Sequence, residues 1–548
     1  MAQLVLGPLL RYVDESSATV WVETDGPCEV EVLGRTARTF HVAGHHYALV
    51  VIEDLEPGSI TPYGVSLDGA RRWPEDESPL PPSVIRTIDP EGPLKIVWGS
   101  CRVAVPHHPP FTLTKDEDER GREIDALYAL ASRMREHDPL DWPHLLLCIG
   151  DQIYADEDAP RTRDFIRSRR DVSRAPYTEV ADFEEYTHLY RESWGEEAIR
   201  WLFSTVGTAM IFDDHDVHDD WNTSDRWVAE IRRQPWWDRR IRAALASYWI
   251  YQHLGNLSPA ELADSELFER VRSTDDAATV LAEFAGMADH STNGSRWSFA
   301  RRLGRTKLVV FDSREGRVLD RYPRKIVDDQ EWRWIEREAT GGFDHLILAD
   351  TLPVLMTPGE HYLEAWNAAV SAGAWGRPLR GLGERARRAL DLEHWPAFGD
   401  SFQRLVDLLR AVGAGRRGEP PATITMLGGD VHHAFLARVG FRPSDGVRSA
   451  VYQAVCSPFR NPLDRHERMT VRAGDSPAAG RIAHLLARTA HVPDPEIRWR
   501  LVQQPTFDNQ FATLELAGRE ALLKIERTVP SDRPDGHTIE TSLERRLA

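Results

Sequence analysis

The strongest constraint on the fold lies in residues 144–156, where an uninterrupted apolar run stops at a glycine and is followed by Asp151 and Tyr154. A strand that is apolar on both faces is typical of the middle of a parallel sheet covered by helices. In such sheets, ligands bind at the carboxyl ends of the strands. The segment therefore predicts a buried strand whose end presents two oxygen ligands.

Three further segments repeat this layout of an apolar run followed by polar residues. The runs and the residues that follow them are 94–100 with Cys101, 208–212 with 213–216, and 424–429 with 430–433. From about residue 92 such runs alternate with helical patterns, which is typical of an α/β domain. Four strand ends that offer Asp, His, Cys or Tyr predict one composite metal site.

The segments before and after this region have strand patterns of another kind. Alternating strands at 18–24, 28–32 and 47–52 predict a small all-β sandwich similar to fibronectin type III modules, with packing or partner contact as its expected role. The proline-rich stretch 72–91 predicts a linker, so the expected domains are 1–90 and 91–548.

Helices are predicted at 328–338 and 401–412, and a hairpin at 511–526 that would extend a second sheet.

Composition and charge exclude several classes of protein. The 548 residues carry 67 Lys and Arg against 86 Asp and Glu, and this formal net charge of -19 argues against a nucleic-acid-binding surface. No segment reaches the roughly 18 apolar residues of a membrane helix, and the first residues show neither a signal peptide nor a twin-arginine motif. Four scattered cysteines fit a reducing compartment. We expect a cytoplasmic protein with a small-molecule substrate, and the sequence leaves its oligomeric state open.

The strand ends offer ligands for hard metal ions. Two ions roughly 3.5 to 4 Å apart can clamp the attacking and leaving oxygens of an in-line displacement, and the Asp151 carboxylate is placed to bridge them. Tyr154 offers a phenolate, which suits ferric iron better than calcium or magnesium. Asp430 and His432 alternate on one strand end and are expected to reach neighbouring ions, whereas His433 is expected to play a supporting role. The role of Cys101 as a metal ligand stays open at this point, because a free cysteine usually behaves as a small hydrophobic residue.

The densest polar segment is 213–220, and a buried run leads straight into it. Asp214 is expected to bind a second ion, and His215 to steady a phosphoryl group or to protonate the departing alkoxide. Asp216 is expected to orient the His215 imidazole, while Asp219 or Asp220 is a candidate for a further cation. The acidic loop 156–158 is interpreted as a solvated charge cluster, with an additional metal ligand as the alternative.

These motifs, in this order, resemble the alkaline phosphatase D (PhoD-like) family of metallophosphoesterases. They are Gly-Ser-Cys at 99–101, Gly-Asp-Gln-Ile-Tyr at 150–154, Asp-Asp-His-Asp at 213–216 and Gly-Gly-Asp-Val-His at 428–432, with further similarity at 312–314 and 391–395. The resemblance implies a four-layer αββα metallophosphatase core. It also implies Fe3+ held by Cys101, Asp151, Tyr154 and His432, and Ca2+ held by Asp151, Asp214 and Asp430, with Mn2+ or Zn2+ as other metals. Asp216, Asp219 and Asp220 depart from the family pattern.

The predicted function is a metal-dependent phosphoesterase of the PhoD-like alkaline phosphatase and phosphodiesterase type. A metal-bound hydroxide would attack phosphodiesters, and also monoesters, in line. Arg102 and Arg314 are candidates to neutralise the phosphoryl oxygens, since guanidinium matches phosphate, although each could equally form a structural ion pair. The alternatives are a phospholipid head-group hydrolase using the same site, which the absence of a basic amphipathic segment disfavours, and a non-catalytic metal-binding or interaction protein.

Overall fold

A computed structural model describes residues 1–157, 159–291, 295–319, 323–474, 476–532 and 536–548. The first part of the chain consists of short strands only. These are β1 (Leu4–Val13), β2 (Ala18–Thr24), β3 (Glu29–Val32), β4 (Arg35–Arg38), β5 (Phe40–Val42), β6 (His45–Ile52), β7 (Ile60–Pro62), β8 (Val65–Leu67), β9 (Ala70–Trp73) and β10 (Val84–Arg86). They form two four-stranded sheets, β1-β2-β6-β5 and β4-β3-β8-β9, and a small β10-β7 pair. The predicted N-terminal all-β sandwich is confirmed, and part of the predicted linker is strand β10.

The alternation of β2 explains how the sandwich attaches to the rest of the chain. Val20 and Val22 pack with Val30 in the interior of the sandwich. Trp21 points the other way and joins Tyr47 in the large core of the α/β region. Burial of a side chain such as Val22 stabilises the folded state by about 1.5 to 3 kcal/mol. Both faces of β2 are therefore buried, one inside the sandwich and one against the neighbouring region.

The remaining elements alternate between helix and strand. They are β11 (Leu94–Gly99), α1 (Ala126–Arg135), β12 (Leu145–Ile149), α2 (Pro160–Arg169), α3 (Phe183–Trp194), α4 (Glu197–Thr205), β13 (Gly207–Ile211), α5 (Asp225–Ile231), α6 (Trp237–Tyr251), α7 (Pro259–Ala263), α8 (Glu266–Ser273), α9 (Ala278–His290), β14 (Phe299–Leu303), β15 (Thr306–Val310), α10 (Asp329–Glu338), β16 (His345–Ala349), α11 (Pro358–Ala372), α12 (Arg380–Ala389), α13 (Gly399–Gly413), β17 (Thr423–Gly428), β18 (Phe435–Gly440), β19 (Ala450–Val455), α14 (Arg465–Gly474), α15 (Pro477–Thr489), β20 (Arg498–Leu501), β21 (Gln510–Ala517), β22 (Glu520–Pro530) and β23 (His537–Arg546). The strands form a six-stranded sheet, β13-β12-β11-β21-β22-β23, and a seven-stranded sheet, β14-β15-β16-β17-β19-β18-β20.

The two large sheets pack face to face with helices outside them. In β15, Leu308 and Val310 join the core shared with the six-stranded sheet, whereas Val309 joins a second core with residues of α10 and α13. Helices α1 and α4 lie against the six-stranded sheet. Both faces of these strands are apolar, so helices must cover the outer face of each sheet while the inner faces pack against each other. The mixed α/β fold with four layers confirms the predicted fold class.

The C-terminal hairpin forms where predicted, but its partner sheet was predicted wrongly. Strand β21 pairs antiparallel with β11, from Leu94↔Leu516 to Trp98↔Ala512. The hairpin therefore extends the same sheet that contains β12 and β13, not a second sheet. The sequence pattern of a hairpin does not specify its partner, because the partner here lies more than 400 residues earlier in the chain.

The metal-site strands end at the seam between the two sheets. Strands β11, β12 and β13 are parallel neighbours, while β17 belongs to the other sheet. Gly429 follows β17, and a Cβ atom at this position would lie 2.5 Å from Ser100 Oγ and 2.9 Å from the Ile149 carbonyl oxygen. A glycine is required there, because the backbone of one sheet contacts the strand ends of the other.

Candidate metal centre

Most of the predicted metal ligands meet at this seam. Three groups of ligand atoms lie within 4.8 Å of one another in each group: Cys101 with Asp151 and His432, Asp151 with Asp214 and His215, and Asp213 with Asp214 and Asp430. Asp151 belongs to the first two groups and Asp214 to the last two. The groups thus adjoin one another, and the position of Asp151 is the one expected of a bridging carboxylate. Asp213 is a candidate ligand that the sequence analysis did not single out.

Several of these residues have an unusual backbone conformation. The φ angles are 56° for Cys101, 43° for Asp151, 65° for Asp430 and 51° for His432. Left-handed backbone is uncommon for residues other than glycine and clusters at functional sites. Asp430 and His432 lie beyond the end of β17, so the expected strand-like alternation of the two residues was wrong. Their side chains reach the site from a turn instead. His433 is buried, and its Nδ1 lies 2.6 Å from the Val431 carbonyl oxygen.

Tyr154 lies directly on the candidate site. Its hydroxyl donates to Asp151 Oδ2 at 3.2 Å and accepts from Asn461 Nδ2 at 3.2 Å. Burial raises the pKa of Tyr154, and the nearby Cys101 and Asp151 raise it further. A phenolate at this position therefore needs a neighbouring cation, which is the chemistry that the sequence analysis expected of it.

Buried carboxylate oxygens remain unpaired at the centre. Asp151 Oδ1 and Asp213 Oδ2 have no hydrogen-bond donor among the described groups, and Asp214 Oδ1 has no hydrogen bond there but lies 3.3 Å from the Arg314 guanidinium. An unsatisfied buried polar atom costs about 1 to 3 kcal/mol, and more for a charged group. Burial, reinforced by neighbouring carboxylates, raises the pKa of Asp151 and Asp213 well above the ordinary value and that of Asp214 to about 6. These unpaired oxygens and raised pKa values favour a site that binds a cation.

Arg314 is the positive charge at the centre of the acidic cluster. Its side chain is 1% exposed, its Nε donates to Asp213, and its Nη1 donates to Glu393. Its Nη2 lies 3.3 Å from Asp214 and 3.9 Å from Asp430. Four carboxylates surround this guanidinium, so the geometry favours the ion-pair alternative over the predicted phosphate contact.

Arg102 also forms buried contacts within the protein. Its Nε donates to Asp125 at 2.8 Å, and its Nη1 donates to the Ser193 carbonyl at 2.6 Å. Only 3% of its side chain is exposed. The predicted phosphate contact therefore has no geometric support, because Arg102 neutralises Asp125, the N-cap residue of α1.

His215 is oriented by a different acid from the one expected. Its Nδ1 lies 3.0 Å from Asp156 Oδ1, and the expected orienting residue, Asp216, instead accepts from the Asp213 N–H at 3.0 Å and from Gln252 at 2.9 Å. The prediction for Asp216 was wrong. Burial lowers the pKa of His215, but Asp156, Asp214 and Asp151 outweigh it and raise the pKa well above the ordinary value.

Asp156 itself corrects the interpretation of the acidic loop. Its side chain is only 7% exposed, so at this position the loop is not a solvated cluster. Asp158 lies outside the described residues. The sequence signal that could have identified Asp156 was its position, two residues after Tyr154 at the end of a buried strand.

A further histidine, His394, lies close to the candidate metal centre. His394 Nδ1 lies 2.7 Å from Glu364 Oε1, and its Nε2 lies 3.4 Å from Asp430 Oδ2. Sequence analysis marked 391–395 by resemblance but did not single out this pair. Among the described residues, neither Asp219 nor Asp220 belongs to a group of potential metal ligands. Burial and the neighbouring acids Glu393 and Asp219 raise the pKa of Asp220 to about 7.

Comparisons with known proteins agree with this architecture. Residues 122–279 match the family model of PhoD-like phosphatases. This segment of the chain is therefore similar to PhoD-like phosphatases. Residues 1–85 match a domain of unknown function, DUF7800. A solved structure described as "Structure of PhoD" aligns with a TM-score of 0.61 and 12% identity, over 99% of this chain and 92% of that one. At this identity the likeness shows the fold, and the resemblance to PhoD-like phosphatases is confirmed.

Two other comparisons gave no informative match. A maltogenic amylase from S. marinus aligns at 9% identity over 98% of this chain and 81% of that one, and its TM-score of 0.13 carries no argument. No curated protein matches the sequence. Within the described ranges, no helix combines the length and apolar character needed to cross a bilayer. The family match supports a phosphatase, a hydrolase of phosphate esters.

Proposed function

We propose that this protein is a metal-dependent phosphoesterase that hydrolyses phosphodiesters, and also monoesters, by in-line displacement with water. The observation that carries the proposal is that Asp151 and Asp214 each belong to two of the three adjoining ligand groups and share the middle one. Asp151 also has a buried oxygen without a hydrogen-bond partner among the described groups, and the corresponding oxygen of Asp214 lies 3.3 Å from Arg314 without a hydrogen bond. Carboxylates shared between neighbouring ligand groups are placed to serve a pair of ions.

The donor set fits the mixed metals that the family resemblance implies. Cys101, Asp151, Tyr154 and His432 offer the thiolate, carboxylate, phenolate and imidazole that would hold Fe3+. Asp151, Asp214 and Asp430 offer the oxygens that would hold Ca2+. When bound, such ions lower the pKa of water and neutralise charge on the phosphoryl group. Mn2+ and Zn2+ are the other metals to be tested.

The protein's own groups then have separate tasks. His215 holds a proton that can pass to the leaving oxygen. Arg314 balances Asp213 and Glu393 and also lies 3.3 Å from Asp214, so it compensates part of the charge of the acidic cluster while Asp151 keeps an oxygen free for a ligand. This division of charge makes the Arg314 guanidinium a support of the site.

The test combines metal content with turnover. Protein purified without chelator or affinity metal is expected to contain iron near one per chain together with calcium, and to hydrolyse bis(p-nitrophenyl) phosphate. Asp151→Ala is expected to abolish turnover while the near-ultraviolet circular dichroism is retained. Glu520→Gln, an exposed carboxylate paired with Arg546, is the matched control and should behave as wild type.

Other outcomes separate the alternatives. Turnover retained in Asp151→Ala contradicts the proposal. Tight metal binding without turnover of any ester would favour the non-catalytic alternative, and activity confined to phospholipid vesicles would favour the head-group hydrolase. A cytoplasmic location and the domains 1–90 and 91–548 are further proposals, to be checked by cell fractionation and by limited proteolysis.

A further inference from the structure

We propose that Asp156 positions His215 for proton transfer to the leaving group, an inference that rests on the proposed function. The His215 Nδ1 atom lies 3.0 Å from one oxygen of Asp156 and 3.1 Å from the other. The Asp156 side chain is 7% exposed and that of His215 is 20% exposed, so the carboxylate is nearly buried while the imidazole remains partly accessible. A carboxylate on Nδ1 selects the tautomer and the orientation of an imidazole.

Three consecutive residues hold this one histidine. The Tyr154 ring stacks on the imidazole with centroids 4.6 Å apart. The Ala155 N–H donates to the His215 carbonyl at 2.8 Å, and Asp156 binds Nδ1. The imidazole is therefore held at its face, at its backbone and at one nitrogen. Nε2 is left as the nitrogen available to the space beside Asp151 and Asp214, which belong to the same ligand group.

The neighbouring acids do not serve this purpose. Both Asp216 oxygens accept hydrogen bonds from other donors, the Asp213 N–H and Gln252. Asp219 donates its backbone N–H to Asp156, and its carboxylate lies 3.9 Å from His215 Nε2, beyond hydrogen-bond distance. Among the described carboxylates, Asp156 is the one that hydrogen-bonds the imidazole.

The proton transfer can be written in full. The oxygen of water forms a bond to phosphorus, and the bond between phosphorus and the leaving oxygen breaks, with its electron pair staying on that oxygen. The proton on His215 Nε2 passes to the leaving oxygen. One proton of the attacking water passes to solvent, from which the imidazole is reprotonated. Asp156 touches neither substrate nor reacting atoms, so it is a positioning residue that aims Nε2 and stabilises the charged ring.

This role predicts a dependence on the leaving group. General acid catalysis contributes about 100- to 10,000-fold in rate, and a poor leaving group needs it most. Asp156→Asn is therefore expected to lower kcat about 10- to 100-fold for a phenyl or alkyl phosphodiester, and to change kcat little for the p-nitrophenyl ester. A purely structural role would lower both rates equally.

Controls separate the hydrogen bond from the loss of charge and from damage to the metal site. Glu157→Gln removes a charge from the same loop, where none of the described contacts joins Glu157 to the imidazole by a hydrogen bond, and it should leave the ratio of the two rates unchanged. His215→Ala should show the same leaving-group selectivity as Asp156→Asn, and the double variant should lose little more. Metal content should stay at the wild-type level in Asp156→Asn. Parallel loss for both esters, or loss of metal, would overturn the proposal.

A measurement without turnover distinguishes the failure of this inference from failure of the proposed function. Proton NMR of the full-length protein loaded with diamagnetic Zn2+ in place of iron, so that no paramagnetic ion broadens nearby signals, should show a low-field imidazole N–H resonance that disappears in both Asp156→Asn and His215→Ala. Absence of this resonance from the wild type would overturn the contact itself, whatever the activity. If the resonance behaves as expected but no phosphate ester is hydrolysed, the contact stands, the proposed function fails, and the proton-transfer role fails with it.

Discussion

The Asp430 backbone N–H donates a hydrogen bond of 3.0 Å to Ser100 Oγ, and this contact joins the two central sheets at the candidate metal centre. Ser100 follows β11 in one sheet, and Asp430 follows β17 in the other. The ligand groups therefore depend on how closely the two strand ends approach. Gly429, which lies between them, controls that approach.

Gly429→Ala is expected to lower both stability and metal content. The added methyl group would lie 2.5 Å from Ser100 Oγ and 2.9 Å from a backbone oxygen of Ile149, so the sheets must separate. Overpacking of this kind costs about 1 to 3 kcal/mol in the free energy of unfolding. Denaturant unfolding and metal analysis would measure the two effects.

The matched control for this change is Gly399→Ala in α13. A Cβ atom there meets nothing within 4 Å, so the change should be neutral, or stabilising by about 0.4 to 1 kcal/mol. Equal behaviour of the two variants would contradict the interpretation of the Gly429 contact.

Arg314→Met is expected to lower the free energy of unfolding by about 3 to 5 kcal/mol, because it leaves buried carboxylates without compensation. The closest of these are Asp213 and Glu393. Arg546→Met, whose partner Glu520 is similarly exposed, should change stability by less than about 1 kcal/mol. A raised KM with unchanged stability would instead favour the phosphate contact.

The buried imidazole of His361 leads us to expect a loss of folding stability at acid pH. Burial lowers its pKa from 6.5 to about 3, so below pH 6.5 the unfolded chain binds a proton that the folded chain does not. Its contribution is fully present above pH 6.5 and is lost progressively as the pH falls toward 3. From pH 6.5 to 5 the loss is about 2 kcal/mol for this one group.

The pH dependence can be assigned to His361 by substitution. The unfolding free energy of His361→Phe should fall less steeply between pH 7 and pH 5 than that of the wild type, by about 2 kcal/mol over this interval. His137→Phe, at an exposed position, is the control and should keep the wild-type slope. An unchanged slope in His361→Phe would count against this origin.

The contacts of Glu23 with helices α3 and α6 lead us to expect that the sandwich and the α/β region unfold together. It is completely buried on β2 and accepts hydrogen bonds from Arg191 of α3 and from the Tyr251 hydroxyl of α6, the latter at 2.9 Å. Glu23→Ala should cost about 1 to 3 kcal/mol, since it removes an acceptor of the buried Tyr251 hydroxyl and the partner of Arg191, whose side chain is 32% exposed. Asp54→Ala, which breaks an exposed pair with Arg35, should cost less than about 1 kcal/mol.

Unfolding followed by fluorescence and by circular dichroism should then give coincident transitions for the wild type. A separate early transition of the sandwich, unaffected by Glu23→Ala, would contradict the coupling between the two regions.

Strand positions could be predicted from the sequence because apolar runs dictate them. The run near 145–149 and the strand ends at Asp151 and Asp430 follow from burial on both faces and from the shared edge of parallel strands. Helix α13 was predicted within two residues of its observed bounds, Gly399–Gly413.

Contacts between distant segments could not be predicted in the same way. Asp156 belongs to a run of acids that resembles a solvated loop, and its burial depends on His215, 59 residues later. The pairing of His394 with Glu364 depends on how α11 packs. The roles of Arg102 and Arg314 depend on which acids surround them, and local sequence does not encode this.

The late insertion of β21 has a consequence for synthesis of the chain. Strand β11 is made early, but its partner on one side, β21, consists of residues 510–517. Until those residues leave the ribosome, β11 presents an unpaired edge, which is a template for pairing with other chains. The six-stranded sheet is therefore closed at β11 only after more than 400 further residues have been made, and until then this edge is open to pairing with other chains.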